Sequence, residues 1–226
     1  MDEFKRFGLY VVPQGALFDA ASAWLGWNSA TGQAVPHPNV AGLPEPVEVL
    51  AATPRSYGFH GTIKPPFVMA DGQSVDALHD AAADFCATQA PVTIPSLAVR
   101  RLGGFVAIVP ADPSPGLATL AAAAVEALDT FRARPSETEL AKRRKAGLSD
   151  RQEALLQKWG YPYVMDEFQF HMTLTGRADH AEAVRDVLAR HFAPVLPSPF
   201  EIESLALMGE DPDGRFHLLH RYTLAG

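Results

Sequence analysis

The sequence predicts a duplicated α+β fold: two lobes, each a mainly antiparallel sheet with helices on the outside, meeting at a pseudo-two-fold cleft. Three observations predict it. The tetrapeptide Phe-His-x-Thr occurs twice, as Phe59-His60-Gly61-Thr62 and Phe170-His171-Met172-Thr173. Each copy is followed by the same order of patterns: helix, strand, turn, strand. Ser-Leu-Ala recurs at a similar offset, 36 residues after His60 at Ser96 and 33 residues after His171 at Ser204. On this reading lobe one covers about 1–134, an inserted helical hairpin about 135–160, and lobe two about 161–226.

The elements follow from local pattern. Phe7-Gly8-Leu9-Tyr10-Val11-Val12 is a β-rich run ended by Pro13. Residues 15–25 are apolar at helical spacing and stop before Gly26. Residues 28–50 carry Pro36, Pro38, Pro44 and Pro46 and read as a long loop. Ser56 to Lys64 has a strand pattern stopped by Pro65-Pro66. Ser74 is an N-cap for an amphipathic helix over 74–88. Strands near 92–100 and 104–109 turn at Gly103-Gly104. Ser114-Pro115 opens a helix running to about Arg132. Two capping boxes, Ser136 with Glu139 and Ser149 with Gln152, start the hairpin helices, and Gly147 and Gly160 end them. A strand over 168–175 follows, then a helix from N-cap Asp179, with Glu182 completing a capping box, to about His191. Strands near 200–208 and 215–224 are joined by Asp211-Pro212-Asp213-Gly214.

Composition narrows the function classes. The 226 residues are 47% hydrophobic and 20% charged, as in globular domains and unlike disordered chains. A single cysteine, Cys86, allows no intrachain disulfide and no cysteine-based zinc site. A net charge of −7 and a pI near 5.6 are unlike a strongly basic nucleic-acid binder. No apolar run approaches the roughly 18 residues of a membrane helix, and Met1 to Arg6 lacks an apolar secretory core. The expected compartment is the cytosol, with no membrane partner. Charge is unevenly spread. Residues 132–158 hold eight Lys/Arg and four Asp/Glu, a local excess of four positive charges that leaves the remainder at −11.

Strand period two places His60, Thr62 and Lys64 on one face and Phe59, Gly61 and Ile63 on the other. His171, Thr173 and Thr175 likewise share a face, opposite Phe170, Met172 and Leu174. Each strand then has an apolar face for a core and a polar face that would be costly to bury dry. Two imidazoles and two hydroxyls suit phosphodiester cleavage. One neutral His takes a proton while one protonated His gives a proton to the leaving oxygen. The Thr hydroxyls donate hydrogen bonds to the non-bridging phosphate oxygens.

The paired His-x-Thr motifs resemble those of the 2H phosphoesterase superfamily. The wider text, Pro54 to Phe67, Trp159-Gly160-Tyr161-Pro162-Tyr163 and Phe168 to Gly176, resembles the subgroup encoded beside bacterial phosphonate-degradation (carbon–phosphorus lyase) genes. The resemblance implies a metal-independent cyclic phosphodiesterase or 2′-5′ ligase-like enzyme needing no cofactor. It implies that His60 and His171 are catalytic and that Thr62 and Thr173 hold phosphate. For substrate it implies a small anionic phosphate ester, a cyclic phosphate of a phosphorylated ribose fitting that pathway. The basic hairpin is outside the minimal superfamily pattern.

Further candidates surround the motifs. Lys64 and Thr175 are expected either to contact phosphate or to be ordinary strand-end residues. Tyr10, Arg55, Tyr161 and Tyr163 are candidate substrate contacts, each with packing as the alternative. Tyr57 alternates with Phe59 and faces the core unless a bulge intervenes. His217 and His220 point to opposite sides of a strand, so no metal site is expected there. Lys142-Arg143-Arg144-Lys145 either complements a helix end or overhangs the cleft. Two rivals to the small-molecule phosphodiesterase stay open. One is an enzyme for RNA 2′,3′-cyclic ends, favoured by the hairpin and disfavoured by the −11 remainder. The other is a sensor that binds a phosphorylated metabolite without turnover. No oligomeric state is read from the sequence.

Overall fold

The computed structural model describes residues 4–226; Met1–Glu3, the start of the segment expected to lack a secretory core, lie outside the described residues. The strands are β1 (Arg6–Val11), β2 (Trp27–Asn28), β3 (Gln33–Ala34), β4 (Gly61–Phe67), β5 (Val92–Ile94), β6 (Leu97–Leu102), β7 (Phe105–Pro110), β8 (Met172–Thr173), β9 (Phe200–Ile202), β10 (Ser204–Glu210) and β11 (Phe216–Thr223). The helices are α1 (Ala16–Leu25), α2 (Val47–Leu50), α3 (Val75–Ala87), α4 (Pro115–Ala127), α5 (Glu137–Arg144), α6 (Asp150–Trp159) and α7 (Ala181–Phe192). The α+β class and antiparallel pairing agree with expectation. Among the described residues no helix is long and apolar enough to cross a membrane.

The two expected lobes are not successive stretches of chain. One sheet of seven strands runs β11-β10-β1-β4-β8-β7-β6. The hairpin β6–β7 follows the first motif in sequence but pairs beside the second motif strand, β8. The hairpin β10–β11 follows the second motif but lies on the side of the first, with β1 between β10 and β4. The exchange closes each half onto the other and puts both motif strands mid-sheet. A separate pair, β5 with β9, makes a second antiparallel link between the halves. The two motif strands differ in their neighbours. β7 pairs with a motif strand directly, whereas its counterpart β11 lies at the sheet edge and β1 takes the place beside β4.

Helices cover this sheet because their apolar stripes match it. α3 packs on β10 and β11, α4 on β4, and α7 on β6 and β7. Ser74 caps α3 through the Ala77 N–H, and Gly26 ends α1 in the left-handed conformation. Cys86 is buried. Both hairpin capping boxes form, and Gly160 ends α6 with φ 72°. The expected cap at Asp179 does not form: His180 is the N-cap of α7 and Glu182 turns to Arg185. The loop 28–50 contains the short β2–β3 pair and the single turn α2.

The motif strands are shorter and more irregular than strict alternation predicts. β4 begins only at Gly61, after a 3₁₀ turn at Pro54–Ser56 and a left-handed Gly58 (φ 70°). Pro65 and Pro66 lie inside β4 and do not stop it. Beyond Gly61 no strand among the described residues pairs with that flank of β4, and an open edge tolerates proline. β4 and β8 meet at a single pair, Gly61 with Met172. A Cβ on Gly61 would run into the Phe170 ring, so only glycine allows the strands to approach there. The sheet is pinched at this pair.

A bulge corrects the reading of Lys64. Tyr10 of β1 faces Thr62, but the next residue, Leu9, faces Lys64, so β4 carries one extra residue between them. The extra residue reverses the side-chain alternation. Lys64 is 2% exposed and donates to the Val125 carbonyl at 2.9 Å, with Asp129 3.7 Å away. Burial pulls its ammonium down to about 8, and Asp129 partly offsets this. Because the unfolded chain binds the proton more tightly, this burial weakens stability below about pH 8, and the penalty fades from there toward 10.5. Lys64→Met keeps the volume and removes the buried charge, and Asp129 retains Arg132. The expected result is an unchanged or raised melting temperature at neutral pH with turnover retained. Lost turnover in a folded Lys64→Met protein returns Lys64 to the site.

Candidate active site

The pinch brings the two motifs together. Antiparallel pairing of Gly61 with Met172 sets His60 across from Thr173 and Thr62 across from His171. Each imidazole therefore faces the other motif's hydroxyl. All four side chains line one cavity of about 260 Å³. The opposite face is core: Phe59, Ile63, Phe170, Met172 and Leu174 are buried.

Each His is aimed by its own backbone. His60 Nδ1 lies 3.0 Å from the Tyr57 carbonyl and His171 Nδ1 lies 2.8 Å from the Gln169 carbonyl. A carbonyl only accepts, so Nδ1 carries the proton in both rings and donates it. Nε2 is left to work on a ligand. The environments then diverge. His60 is boxed by Tyr10 at 4.3 Å, Tyr57 at 5.5 Å and Phe216 at 6.3 Å between ring centroids. This desolvation lowers its pKa to about 4; the Tyr57 carbonyl opposes the shift and His171 adds to it. His171 is the more open ring, with Phe105 at 5.7 Å.

Other candidates divide. Tyr10 joins the site. It is 1% exposed, its hydroxyl is buried without a hydrogen-bond partner among the described residues, and burial raises its pKa so that it stays a donor. Tyr161 also lines the cavity. Tyr163 does not; it lines an adjoining space of about 550 Å³ that shares Thr62, Tyr161 and His171 with the site. Arg55 is elsewhere, its Nε lying near the position a Cβ on Gly26 would take, beside His37. Thr175 is a correction. The chain leaves the ladder after Thr173, and Thr175 is buried, its Oγ1 accepting from the Val106 N–H at 3.0 Å and donating to the Gly176 carbonyl.

Three site residues, Tyr57, Phe216 and Arg6, were absent from the sequence reading or misplaced by it, and for a fourth, Arg143, the structure takes one of the two readings left open. Tyr57 faces the cavity because Gly58 breaks the alternation before β4 begins. Burial raises its phenol, and the neighbouring Thr173 hydroxyl partly offsets this. Phe216 comes from β11 and Arg6 from β1, both distant in sequence from either motif. Arg143 arrives from α5 and holds its guanidinium 4.5 Å over the Tyr161 ring, so the hairpin does overhang the site. Among the described residues no three His, Cys, Asp or Glu side chains converge as a metal site requires.

Comparison with known proteins adds a family. Two curated relatives, each named ribose 1,5-bisphosphate phosphokinase PhnN, match most of this chain. The one from Janthinobacterium sp. (strain Marseille) is 37% identical over 222 residues, 94% of this chain and 49% of the relative. The one from Laribacter hongkongensis (strain HLHK9) is 34% identical over 214 residues, 92% of this chain and 49% of the relative. The chain thus spans about half the length of these relatives. Among solved structures, E. coli LigT complexed with 3′-AMP aligns at 14% identity and TM-score 0.48, covering 99% of this chain and 100% of LigT. TT0787 of Thermus thermophilus aligns at 15% and 0.45, covering 98% of each. Scores of this size mark distant neighbours and assign no chemistry. The model of one family, described as a protein of unknown function (DUF1045), matches residues 62–217, well over half of the sequence, and the chain belongs to that family.

Proposed function

We propose that the chain is a phosphodiesterase of the two-histidine type that opens a cyclic phosphate on a small sugar without using a metal. The observation carrying this reading is the crossed arrangement at the pinch: two imidazoles with Nε2 free, each opposite a hydroxyl, in one cavity walled by Arg6 and Arg143. His60, kept neutral by burial, takes a proton from the attacking water at Nε2. A bond forms between the water oxygen and phosphorus while the bond from phosphorus to one sugar oxygen breaks. His171, the more open ring, gives its Nε2 proton to that leaving oxygen. The products are a phosphate monoester and a free hydroxyl. Thr62, Thr173 and the arginines supply donors and charge to the non-bridging oxygens.

The relatives' name supports ribose as the sugar and a phosphonate context. The kinase activity in that name belongs, on this reading, to the part of the relatives that this chain does not match. The sequence has no Gly-x-x-x-x-Gly-Lys-Ser/Thr phosphate loop. One observation favours RNA 2′,3′-cyclic ends as a second reading. The adjoining space presents Phe105, Tyr161, Tyr163 and Phe168, on which a base could stack. Rates on sugar cyclic phosphates and nucleoside 2′,3′-cyclic phosphates, compared side by side in EDTA, separate the two.

The same assay reads the pH profile. The base must be neutral, and burial holds His60 at about 4 against an ordinary 6.5. The acid limb of kcat/KM, where the base takes up a proton, should therefore lie near pH 4. A separate alkaline limb should appear where the acid loses its proton. The two apparent values belong to the coupled pair. Stability shares the acid-side sensitivity. The unfolded chain takes up this proton first, so stability should fall as pH drops from about 6.5 to about 4. Activity lost in chelator and restored by zinc or manganese overturns the mechanism. An acid limb near 6.5 gives the base role to another group.

A further inference from the structure

Beside the central cavity lies a second, smaller one of about 140 Å³. Arg6, Pro66 and Arg143 are the wall common to both. Its other cationic walls are Arg132 and Arg134, at the end of the chain segment leading into the hairpin, and Lys142 of α5. The charges are unequally compensated. Arg6 is paired with Glu210, and Arg132 with Asp129 at 2.8 Å. Among the described residues Arg134, Lys142 and Arg143 have no carboxylate within ion-pair distance. Glu139 also lines this cavity, but its carboxylate is occupied by the Ser136 N–H and hydroxyl of the capping box. Three uncompensated cations against one engaged carboxylate leave a net positive cavity.

The way the hairpin is held points the same way. α5 has no buried residue, so core packing does not hold it. The hairpin is anchored through α6, whose Leu155 and Leu156 are buried, and by the Arg144–Glu153 pair. Of the four consecutive cations, Arg144 is accounted for by Glu153, while Lys142 and Arg143 line the cavity. A helix-end charge effect needs no such division.

We propose that this second cavity holds a non-reacting phosphate monoester of the same substrate, so that the enzyme selects a sugar carrying one cyclic phosphodiester and one further phosphate. The proposal rests on the phosphodiesterase reading of the central cavity and adds to it the substrate's second anion. Arg134 and Lys142 touch only the second phosphate; Arg143 and Arg6, in the shared wall, sit between the two anions. A sugar ring bridges the cavities across Pro66.

The test compares ribose 1,2-cyclic phosphate with and without a phosphate at C5, using wild type and an Arg134→Ala/Lys142→Ala variant. Both replaced side chains are exposed, so the fold should survive, as circular dichroism checks. Wild type should prefer the C5-phosphorylated probe in kcat/KM by tenfold or more, and the variant should lose most of that preference. A wild type with no preference overturns the proposal. So does a variant in which both probes lose rate in proportion, since that is general steering or damage. If wild type turns over neither probe, the central reading has failed, and calorimetric titration with ribose 5-phosphate decides the second cavity alone. Binding that persists in His60→Ala/His171→Ala and vanishes in Arg134→Ala/Lys142→Ala upholds it. Absent binding, or equal binding in all forms, overturns it.

Discussion

His60→Ala and His171→Ala should each lower kcat by ~10²–10⁴-fold. The basis is the geometry of the two rings. Each donates Nδ1–H to a carbonyl two or three residues upstream, and each leaves Nε2 in the cavity. One proton transfer is lost in each variant. The losses should not add: with either partner gone the concerted transfer is already broken, so the double variant should resemble the worse single one. The two variants should differ in pH dependence. His60→Ala should remove the acid limb set by the ring that burial holds at about 4. His171→Ala should keep that acid limb while losing rate. Near-wild-type kcat in either variant, with native circular dichroism, would falsify the two-histidine mechanism.

The sequence made the four central residues legible because the motif's alternation holds where it matters. His60 and Thr62, and His171 and Thr173, do share a face at the pinch. Alternation failed one step further out, for local reasons. The bulge between Thr62 and Lys64 sends Lys64 to the α4 side, and the end of β8 at Thr173 turns Thr175 to Val106. Neither irregularity has a signal in residue type: Ile63 and Leu174 read as ordinary strand residues. The matched spacing predicted two related halves but not that each hairpin pairs on the side of the other half's motif strand, because spacing reports order along the chain and not pairing. For the same reason Arg6 and Phe216 were out of reach. They enter the site only because β1 lies beside β4 and because β11 packs at the end of the sheet. The hairpin was visible as a charge excess, and its two readings were divided by geometry: Arg144 supports the hairpin, whereas Lys142 and Arg143 face a cavity.

Thr62→Val and Thr173→Val should each remove ~1.5–3 kcal/mol of transition-state binding, the range for hydrogen bonds to charged groups. That corresponds to roughly 10–150-fold in kcat/KM. Valine keeps the shape and the strand preference of threonine, so the loss reports the hydroxyl. The loss should fall on kcat more than on KM, because the non-bridging oxygens gain charge as the pentavalent state forms. The crossed register makes a sharper demand. Thr62 faces His171 and Thr173 faces His60, so each hydroxyl holds the phosphate against the other motif's imidazole. Thr62→Val should therefore weaken positioning at the proposed acid, and Thr173→Val at the proposed base. Leaving-group dependence separates them: a probe with a more acidic leaving alcohol needs less help from His171 and should rescue Thr62→Val more than Thr173→Val. Thr173 has a second neighbour in the Tyr57 phenol, so Tyr57→Phe serves as the control for indirect loss through that contact. If both valine variants keep wild-type kcat/KM, the hydroxyls do not touch the phosphate, and the positive charge of Arg6 and Arg143 must stabilise the transition state alone.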